Sequence, residues 1–199
     1  MKNLTQTTIR LIDIIISIIT IILSSPIMIL ASLAIIITSH GPVFFVSFRR
    51  GFKTKKIKII KFRTMKVGSE TFEFKMIGEK KEPNIQCAND SRVTGIGKIL
   101  RMTSVDELPQ LFSIFVGDMS LVGPRPIIEA EYQILTSKQL KRFDVMPGLT
   151  GLAQVSGRSE LPVQEALKKD LQWVKMYSLK NYLIILLKTA ACILRKNAY

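Results

Sequence analysis

The chain has 199 residues, enough for one modest domain with a membrane segment but hardly enough for two enzyme domains. Its 29 Lys and Arg against 15 Asp and Glu give a formal net charge of +14, which points to nucleic acid, an anionic membrane surface or phosphorylated ligands as partners. Hydrophobic residues make up 47% of the chain, which excludes a disordered basic tail and favours a membrane surface over free nucleic acid.

Histidine and cysteine offer little for catalysis or metal binding. The single histidine, His40, stands beside Gly41, where a turn role is favoured. Cys87 and Cys192 lie far apart and form no CxxC pair, so a disulfide scaffold or a zinc site built on them is disfavoured. Acid–base or nucleophilic chemistry in this chain is therefore predicted to use carboxylates.

The first predicted element is an apolar helix. No charged residue occurs from 14 to 39, and about 20 apolar residues suffice to cross a bilayer. The run is too long for a cleaved signal peptide, and no small-residue cleavage site follows it. Pro26 follows Ser24 and Ser25 near the centre of the run. Because proline lacks an amide donor, we expect a kink or break there, with serine hydroxyls satisfying the freed carbonyls.

Basic residues flank this helix on both sides, and such flanks prefer the cytoplasm. Lys2 and Arg10 precede it, and a basic cluster follows it: Arg49, Arg50, Lys53, Lys55, Lys56 and Lys58. A full span would send one flank outside, whereas a re-entrant helix would keep both flanks inside. The residues alone leave these two topologies open.

The rest of the chain alternates short apolar patterns with turns. Alternating basic and apolar residues over Lys56–Phe62 predict a strand, and the polar segment 65–89 predicts a loop. Helical patterns follow at 96–102, 107–116, 128–140 and 163–177. Gly117 is predicted to end the second of them. The apolar tail 182–194 is predicted to lie in the interfacial plane, with packing on the core as the alternative.

The most informative segment holds two adjacent acids, Asp106 and Glu107, where a helix is predicted to begin. A capping box formed by Ser104 and Glu107 would explain the pair without any chemistry. The same placement suits catalysis, because a helix start favours the ionised carboxylate and lowers its pKa. Neighbouring helical residues project about 100° apart, so one acid can face phosphorus while the other holds a cation. Magnesium commonly takes one or two protein carboxylates together with phosphate oxygens.

Basic side chains are predicted to form a phosphate-binding pocket around this pair. They are Lys61, Arg63, Arg92, Arg101 and Arg125. Arginine binds phosphate through a planar fork, and the prolines on both sides of Arg125 limit the entropy that it loses on binding. Any one of these residues, taken alone, is explained as a solvated surface charge. Their number around one acid pair favours the pocket.

Together these segments resemble the bacterial sugar transferase family, the small monotopic phosphoglycosyl transferases, from about residue 13 to 189. The matching motifs are Ser25-Pro26, Gly41-Pro42-Val43-Phe44-Phe45, Lys61-Phe62-Arg63-Thr64-Met65, Asp90-Ser91-Arg92-Val93-Thr94, Leu100-Arg101, Asp106-Glu107-Leu108-Pro109-Gln110-Leu111, the run 117–126, Pro147-Gly148-Leu149-Thr150-Gly151 and Gly157-Arg158. The run 117–126, which ends in Gly-Pro-Arg-Pro, is very specific, whereas Lys-Phe-Arg-Thr-Met or Ser-Pro alone would be weak.

The resemblance implies an α+β, mostly helical fold and a monotopic protein of the bacterial inner (cytoplasmic) membrane. Residues 1–45 would form a re-entrant membrane helix broken at Ser25-Pro26. Residues 46–199 would form a small compact catalytic domain on the cytoplasmic face, with interfacial amphipathic helices.

The resemblance also implies a reaction. A UDP-sugar would donate its phosphosugar to a polyprenol phosphate such as undecaprenyl phosphate, releasing UMP, as the first membrane step of capsule, O-antigen, exopolysaccharide or glycoprotein assembly. Asp106 would form an aspartyl-phosphosugar intermediate. Glu107 would hold Mg²⁺, with Asp106 as a further candidate ligand. Phosphate charge would be bound by Arg101, Arg125 and Arg158, with Lys61, Arg63 and Arg92 as further substrate contacts. Membrane lipid is an expected partner, and nucleic acid is not.

The chain departs from the family pattern in several places, including the absence of a common Asp at 181–183. Ser47-Phe48-Arg49-Arg50-Gly51 replaces a Gln-Glu-Arg type step, and Lys175 and Met176 replace acidic and amide residues. Two other interpretations stay open. One is a non-catalytic, membrane-anchored basic module that binds anionic lipid or nucleic acid. The other is an enzyme in which the lipid phosphate attacks the donor directly, with no covalent step.

Overall fold

The computed structural model describes residues 2–69, 74–77, 80–83, 90–157 and 161–196. The helices are α1 (Lys2–Thr38), α2 (Gly95–Thr103), α3 (Gln110–Val116), α4 (Glu129–Gln133), α5 (Leu152–Val155), α6 (Val163–Met176) and α7 (Leu179–Lys196). The strands are β1 (Phe44–Arg50), β2 (Lys56–Phe62), β3 (Phe74–Ile77), β4 (Lys80–Pro83), β5 (Ser120–Val122) and β6 (Gly148–Thr150). This is the mostly helical α+β fold that the family resemblance implies.

Helix α1 runs without interruption through Pro26. Its segment Leu4–Thr38 is long and apolar enough to cross a membrane. Pro26 has no amide hydrogen for the carbonyl of Ile22, and the hydroxyl of Ser25 donates to that carbonyl instead, at 2.8 Å. The serine contact that we predicted is therefore present. The helix continues through Ser25 and Pro26, so the expected break is wrong. The carbonyl that proline leaves without an amide donor accepts a hydrogen bond from the serine instead.

One face of α1 packs against the rest of the chain along almost its whole length. Ile9, Asp13 and Ser17 are buried near its start, and Ala31 and Ile35 are buried near its end. These positions follow the spacing of one helical face, whereas leucine and isoleucine side chains elsewhere on the helix are exposed. Both halves of α1 therefore lie on the same domain.

A buried carboxylate ties the first half of α1 to two other elements. Oδ1 of Asp13 accepts hydrogen bonds from the Tyr182 hydroxyl of α7 at 2.6 Å, from the Leu121 amide of β5 at 2.7 Å and from the Ser120 hydroxyl at 3.2 Å. Burying a carboxylate is costly unless it has such partners. These three donors explain how an acid within the apolar helix is tolerated.

Arg10 connects α1 to the C-terminus of α3. Its guanidinium donates to the carbonyls of Ile114 and Phe115, at 2.5 and 2.6 Å. The last carbonyls of a helix have no partner within the helix, so an arginine placed there both satisfies them and complements the helix dipole. Gly117 ends α3 with a φ of 97°, as the sequence predicts.

Strands β1 and β2 form an antiparallel hairpin in which Phe44 lies opposite Phe62 and Arg50 lies opposite Lys56. The bounds of β2 agree with the predicted strand. Because side chains alternate across a strand, Ile57 and Ile59 point into the core, where they are buried.

The core lies between this hairpin, α3 and the C-terminal helices. Its buried members include Ile57, Ile59, Leu111, Ile114, Met119, Trp173, Tyr182 and Ile185. Tyr182 and Ile185 place one face of α7 in the core, whereas Leu183 and Leu187 on the same helix are exposed. The tail is thus packed on the core along one face, as the alternative prediction has it, and the opposite face of the helix is exposed. Its contact with the interfacial plane stays a prediction.

The remaining predicted elements are confirmed in part. Helix α6 agrees with the predicted helix within one residue. The predicted helix at 128–140 is instead the short helix α4, followed by a 3₁₀ segment at Gln139–Asp144. The predicted loop at 65–89 contains the short strands β3 and β4, and part of it lies outside the described residues.

Candidate active site

Two loops stack against each other through glycines. Strands β5 and β6 pair in parallel, and beyond them the Gly123 amide donates to the Thr150 carbonyl at 2.9 Å. The Gly148 amide donates to the Pro124 carbonyl, also at 2.9 Å. A Cβ atom added to Gly123, Gly148 or Gly151 would overlap backbone atoms of the facing loop. Only glycine permits this close approach, which fixes the Gly-Pro-Arg-Pro loop.

This stacking presents Arg125 as an exposed side chain between the buried Pro124 and Pro126. Its backbone carbonyl accepts a hydrogen bond from Nη2 of Arg142 at 2.8 Å. Arg142 is itself in a buried ion pair with Asp170 at 2.6 Å, in which the two side chains are 3% and 7% exposed. The backbone of Arg125 is therefore held in place by the buried ion pair of Arg142 and Asp170.

Asp106 and Glu107 lie in a 3₁₀ turn, Val105–Glu107, between α2 and α3. Helix α3 begins at Gln110, later than the sequence predicts. Ser104 has a left-handed backbone with a φ of 59° and makes no side-chain capping bond, so the capping box of Ser104 and Glu107 is wrong. The acids occupy a turn because α2 has already ended at Thr103, which leaves no continuous helix across the segment.

Lys61 extends from β2 to the acid pair. Its ammonium group donates to Oε1 of Glu107 at 2.7 Å. Burial opposes the charged form of Glu107, but the charges of Lys61 and Arg125 and the hydrogen bonds from Lys61 and Gln110 outweigh it. Together they hold the pKa of Glu107 below its usual value. Glu107 is therefore ionised at neutral pH.

The neighbouring acid behaves differently. Burial and the charge of Glu107 raise the pKa of Asp106 to about 6, although Lys61 and Arg101 act in the opposite direction. The sequence predicted a lowered pKa from a helix start, and that prediction is wrong, because the residue sits half-buried beside a like charge. Two adjacent carboxylates thus have pKa values that their surroundings push apart, a pattern typical of acids with different roles.

A cleft with an empty volume of about 410 Å³ opens beside Glu107. It is lined by Arg49, Ile59, Lys61, Glu107, Gln110, Arg125, Pro126, Gly148, Leu149 and Gln154. Three cationic side chains thus meet one carboxylate and two amides. Asp106 is the residue next to this lining rather than a part of it. The arrangement suits a ligand with several negative charges whose reacting group lies near the turn that carries Asp106 and Glu107.

The other predicted basic residues are distributed in three ways. Nε of Arg101 donates to the Thr64 hydroxyl at 2.9 Å, and its charge acts on Asp106. Arg92 forms an ion pair with Asp90 at 2.7 Å, outside the cleft lining. Arg158 lies outside the described residues.

Arg63 does not lie in the cleft, which corrects its predicted contact with phosphate. It is 4% exposed, and its guanidinium donates to the carbonyls of Ser39 and His40, at 2.9 and 2.5 Å. These carbonyls follow the end of α1, so Arg63 caps the apolar helix. Arg63 lies just beyond the end of β2, where the alternation of the strand no longer sets the direction of its side chain.

Comparison with known proteins shows the family of the chain. The sequence model described as "Bacterial sugar transferase" matches residues 4–196. The chain belongs to the bacterial sugar transferase family.

Several proteins with assigned names are similar to this chain in sequence. A UDP-glucose:undecaprenyl-phosphate glucose-1-phosphate transferase of Klebsiella pneumoniae is 41% identical, over 96% of this chain and 41% of that protein. The exopolysaccharide production protein ExoY of Rhizobium meliloti is 40% identical, over 78% of this chain and 72% of that protein. A UDP-galactose-lipid carrier transferase of Erwinia amylovora is 39% identical over 75% of this chain. The match covers only 32% of the Erwinia protein, about a third of its length.

Arg49 is a cleft residue that the sequence analysis does not assign to the site. Its sequence position places it in the basic cluster that follows the apolar helix. In the hairpin it lies opposite Ile57 and shares the inward face with Lys61. Burial, followed by the charge of Arg125, lowers its pKa to about 10, so it stays protonated at neutral pH. The signal was the period-two alternation of 44–50, which places odd-numbered side chains inward.

Gln154 is a second cleft residue that the sequence did not single out. Its Oε1 atom is buried and has no hydrogen-bond partner within the described part of the chain. A buried carboxamide oxygen without a donor is unfavourable unless a ligand or water supplies one. It therefore offers an acceptor at the wall of the cleft.

The donor set suits a magnesium ion held partly by substrate. Asp106 and Glu107 supply two adjacent carboxylates, and the described residues contain no group of three or more His, Cys, Asp or Glu that could hold a metal by themselves. Magnesium is commonly bound through one or two carboxylates plus phosphate oxygens and waters. The residues present fit such an ion only together with a phosphorylated ligand.

Proposed function

We propose that the chain is a phosphoglycosyl transferase that moves a phosphosugar from a UDP-sugar to a polyprenol phosphate such as undecaprenyl phosphate. The observation that carries this proposal is the meeting of Glu107, Lys61 and Arg125 at one cleft beside Asp106, with Lys61 Nζ 2.7 Å from Glu107. The names of the Klebsiella and Erwinia relatives support a UDP-sugar donor and a lipid acceptor. The step would be the first membrane reaction in the assembly of a surface glycan.

In the first step an ionised carboxylate oxygen of Asp106 attacks the phosphorus that carries the sugar. An oxygen–phosphorus bond forms to Asp106, and the bond from that phosphorus to the bridging oxygen breaks. UMP leaves with the electron pair, and an aspartyl phosphosugar remains on the protein. The pKa of about 6 at Asp106 supports this role, because the group is mostly ionised at neutral pH yet retains more basicity than an ordinary aspartate.

In the second step an oxygen of the lipid phosphate attacks the same phosphorus. The bond between Asp106 and phosphorus breaks, which restores the carboxylate and releases a polyprenol-diphosphate sugar. Two successive displacements at one residue give ping-pong kinetics. Direct attack of the lipid on the donor would give a ternary complex instead, and this difference separates the two mechanisms.

The cleft supplies the positive charge that both steps need. Lys61 and Arg125 would bind the oxygens of the diphosphate, and Arg49 would extend this positive surface along β1. Arg101, whose charge acts on Asp106, would bind the phosphoryl group from the other side. Most of the stabilisation in phosphoryl transfer comes from such placed charges. We propose Arg158 as a further phosphate contact on the resemblance alone.

Glu107 would hold Mg²⁺, with Asp106 as a further candidate ligand. When bound, the ion neutralises phosphate charge and orients the diphosphate. Lys61 keeps Glu107 ionised before the donor arrives, because it holds the pKa of that carboxylate low.

We further propose that α1 is a re-entrant helix in the bacterial inner membrane and that the cleft faces the cytoplasm. One observation supports this topology. Arg10 and Ile35, near opposite ends of α1, both contact the same domain, whereas a full span would place the two ends on opposite sides of the bilayer. A cysteine at position 2, with the two native cysteines replaced by serine, should be shielded from an impermeant external reagent. External labelling would indicate a full span.

Release of UMP tests the activity. The purified chain in vesicles should release UMP from at least one UDP-sugar when polyprenol phosphate and Mg²⁺ are present. Lys61→Gln should abolish most of this release, whereas Lys168→Gln, a matched change at a side chain that is 72% exposed, should leave it intact. If no UDP-sugar yields UMP and the chain instead binds DNA or anionic vesicles with a steep salt dependence, the chain is a non-catalytic basic module.

A further inference from the structure

The outer face of the β1–β2 hairpin carries apolar side chains that the proposed reaction does not use. Phe44, Val46 and Phe48 are 45%, 42% and 67% exposed. They alternate with the inward residues of β1, and Val46 lies opposite Ile60. Phe48 occupies one of the positions at which the sequence departs from the family's Gln-Glu-Arg type step, whereas Phe44 belongs to a motif that the chain shares with the family.

The turn end of the same hairpin is basic. Exposed lysines lie at positions 53, 55, 56 and 58, and within the described residues none of them forms an ion pair. Lys58 lies directly opposite Phe48 in the register, on the same face. The acid that faces this end, Glu129, is held through both carboxylate oxygens by Arg50, at 2.8 Å each. The lysines therefore present a positive charge that the described acids leave largely uncompensated.

This face continues from the apolar helix. Helix α1 ends at Thr38, and β1 begins at Phe44. The ring of Phe44 stacks on Phe62 with 5.3 Å between ring centroids. Phe62 is buried against Ala31 and Ile35 of α1. The outer face of the hairpin therefore begins beside the C-terminal half of α1.

We infer that the outer face of the β1–β2 hairpin rests on the surface of an anionic bilayer. This inference depends on the membrane attachment of α1 proposed above. Phe44, Val46 and Phe48 enter the boundary between headgroups and acyl chains, where aromatic side chains are favoured. The four lysines contact anionic headgroups, as basic clusters just beyond a membrane helix do.

Contact of the hairpin's outer face with the bilayer would also set the distance of the cleft from the membrane. Arg49 and Lys61 are on the inward face of the same two strands and line the cleft. Docking the outer face on the bilayer therefore keeps the cleft one sheet thickness from the surface at which a lipid phosphate arrives. A second copy of the chain is the competing occupant of this face. It is disfavoured because two copies of the lysine cluster would then face each other across a symmetric contact.

Quenching of a tryptophan by brominated lipid tests the inference. Phe48→Trp is reconstituted in vesicles that contain about one third anionic lipid and is compared with vesicles brominated in the upper acyl chain. Trp173, which is 1% exposed, gives a constant background that the unsubstituted chain measures. Lys168→Trp, at an exposed position of α6, is the matched control. We expect a blue-shifted emission and about threefold quenching for Phe48→Trp, and little quenching for Lys168→Trp.

Replacing the four lysines by glutamine should remove most of this quenching, whereas replacing them by arginine should retain it. Equal quenching of Phe48→Trp and Lys168→Trp would overturn the inference. So would a blue-shifted but unquenched emission that depends on protein concentration, because that result indicates a second copy. Flotation of the unsubstituted chain with vesicles is measured in parallel. If the chain does not float, membrane attachment itself is wrong; if it floats without quenching at position 48, only the hairpin contact is wrong.

Discussion

Nζ of Lys61 lies 2.7 Å from Oε1 of Glu107, and this contact joins the β1–β2 hairpin to the turn that carries both acids. It accounts for a glutamate that remains charged although its surroundings are partly desolvated. It also sets a positive charge at the point where the cleft meets Asp106. The ion pair therefore connects the hairpin to the residues that we propose carry out the reaction.

Loss of the Lys61 charge should reduce turnover strongly. We expect Lys61→Met to lower kcat for UMP release by about 100-fold or more. The substitution removes a positive charge from the place where negative charge develops on the phosphate during the reaction. Lys61→Arg should recover part of the rate, since it keeps the charge but changes the geometry. Steady-state kinetics with a UDP-sugar measure both variants. A Lys61→Met protein that folds and retains full kcat would remove Lys61 from the site.

The pH dependence should report the raised pKa of Asp106. The nucleophile must be ionised, so kcat/KM should fall as the pH drops through about 6. Glu107→Gln removes the neighbouring negative charge, and the acidic limb of its residual activity should then move to lower pH. Profiles between about pH 5 and 8 test this. An upward shift of the limb in Glu107→Gln would contradict the assignment.

Arg49 should contribute to donor binding. We expect Arg49→Gln to raise KM for the UDP-sugar by about tenfold, the effect of losing one charge-assisted hydrogen bond, with a smaller change in kcat. Lys168→Gln is the control for a simple change of net charge. If the two variants have the same KM, the positive charge at Arg49 does not contact the donor.

The buried pair of Arg142 and Asp170 should matter for stability. Asp170→Leu leaves Arg142 charged, buried and unpaired, so we expect the free energy of unfolding to fall by about 3–5 kcal/mol. The double variant Arg142→Met with Asp170→Leu should recover most of this loss, because it buries apolar groups of similar size. Denaturation of the detergent-solubilised chain measures both. A single variant as stable as the unsubstituted protein would contradict the pairing.

Much of the fold follows from local pattern. The alternation over Lys56–Phe62 fixed β2 to the residue, and the helical periods located α2, α6 and the end of α3 at Gly117. These elements depend on spacing within a short segment, which a sequence displays directly. The sequence also singled out Glu107 and Arg125, which line the cleft, because adjacent carboxylates and an arginine between two prolines are unusual in a chain of ordinary surface charges. The roles of these residues and of Asp106 in a reaction stay predictions.

What could not be predicted depends on contacts between distant segments. Arg63 was expected at the cleft, yet it caps α1. The direction of its side chain is set by how the end of β2 meets residues 39 and 40, and this contact joins segments that are distant in the sequence. The pKa of Asp106 rises rather than falls, because burial and Glu107 outweigh the charges of Lys61 and Arg101. The burial of Asp13 likewise needs Tyr182, which is far away in the sequence.

Trapping a covalent intermediate would test whether Asp106 is the nucleophile. The chain is mixed with a UDP-sugar labelled in the phosphosugar, quenched without lipid acceptor, digested and examined by mass spectrometry. We expect a phosphosugar on Asp106, one equivalent of UMP released with it, and loss of the label on adding polyprenol phosphate. Asp106→Asn should carry no label. Active protein that forms product in one turnover while no label is ever attached to Asp106 would contradict it.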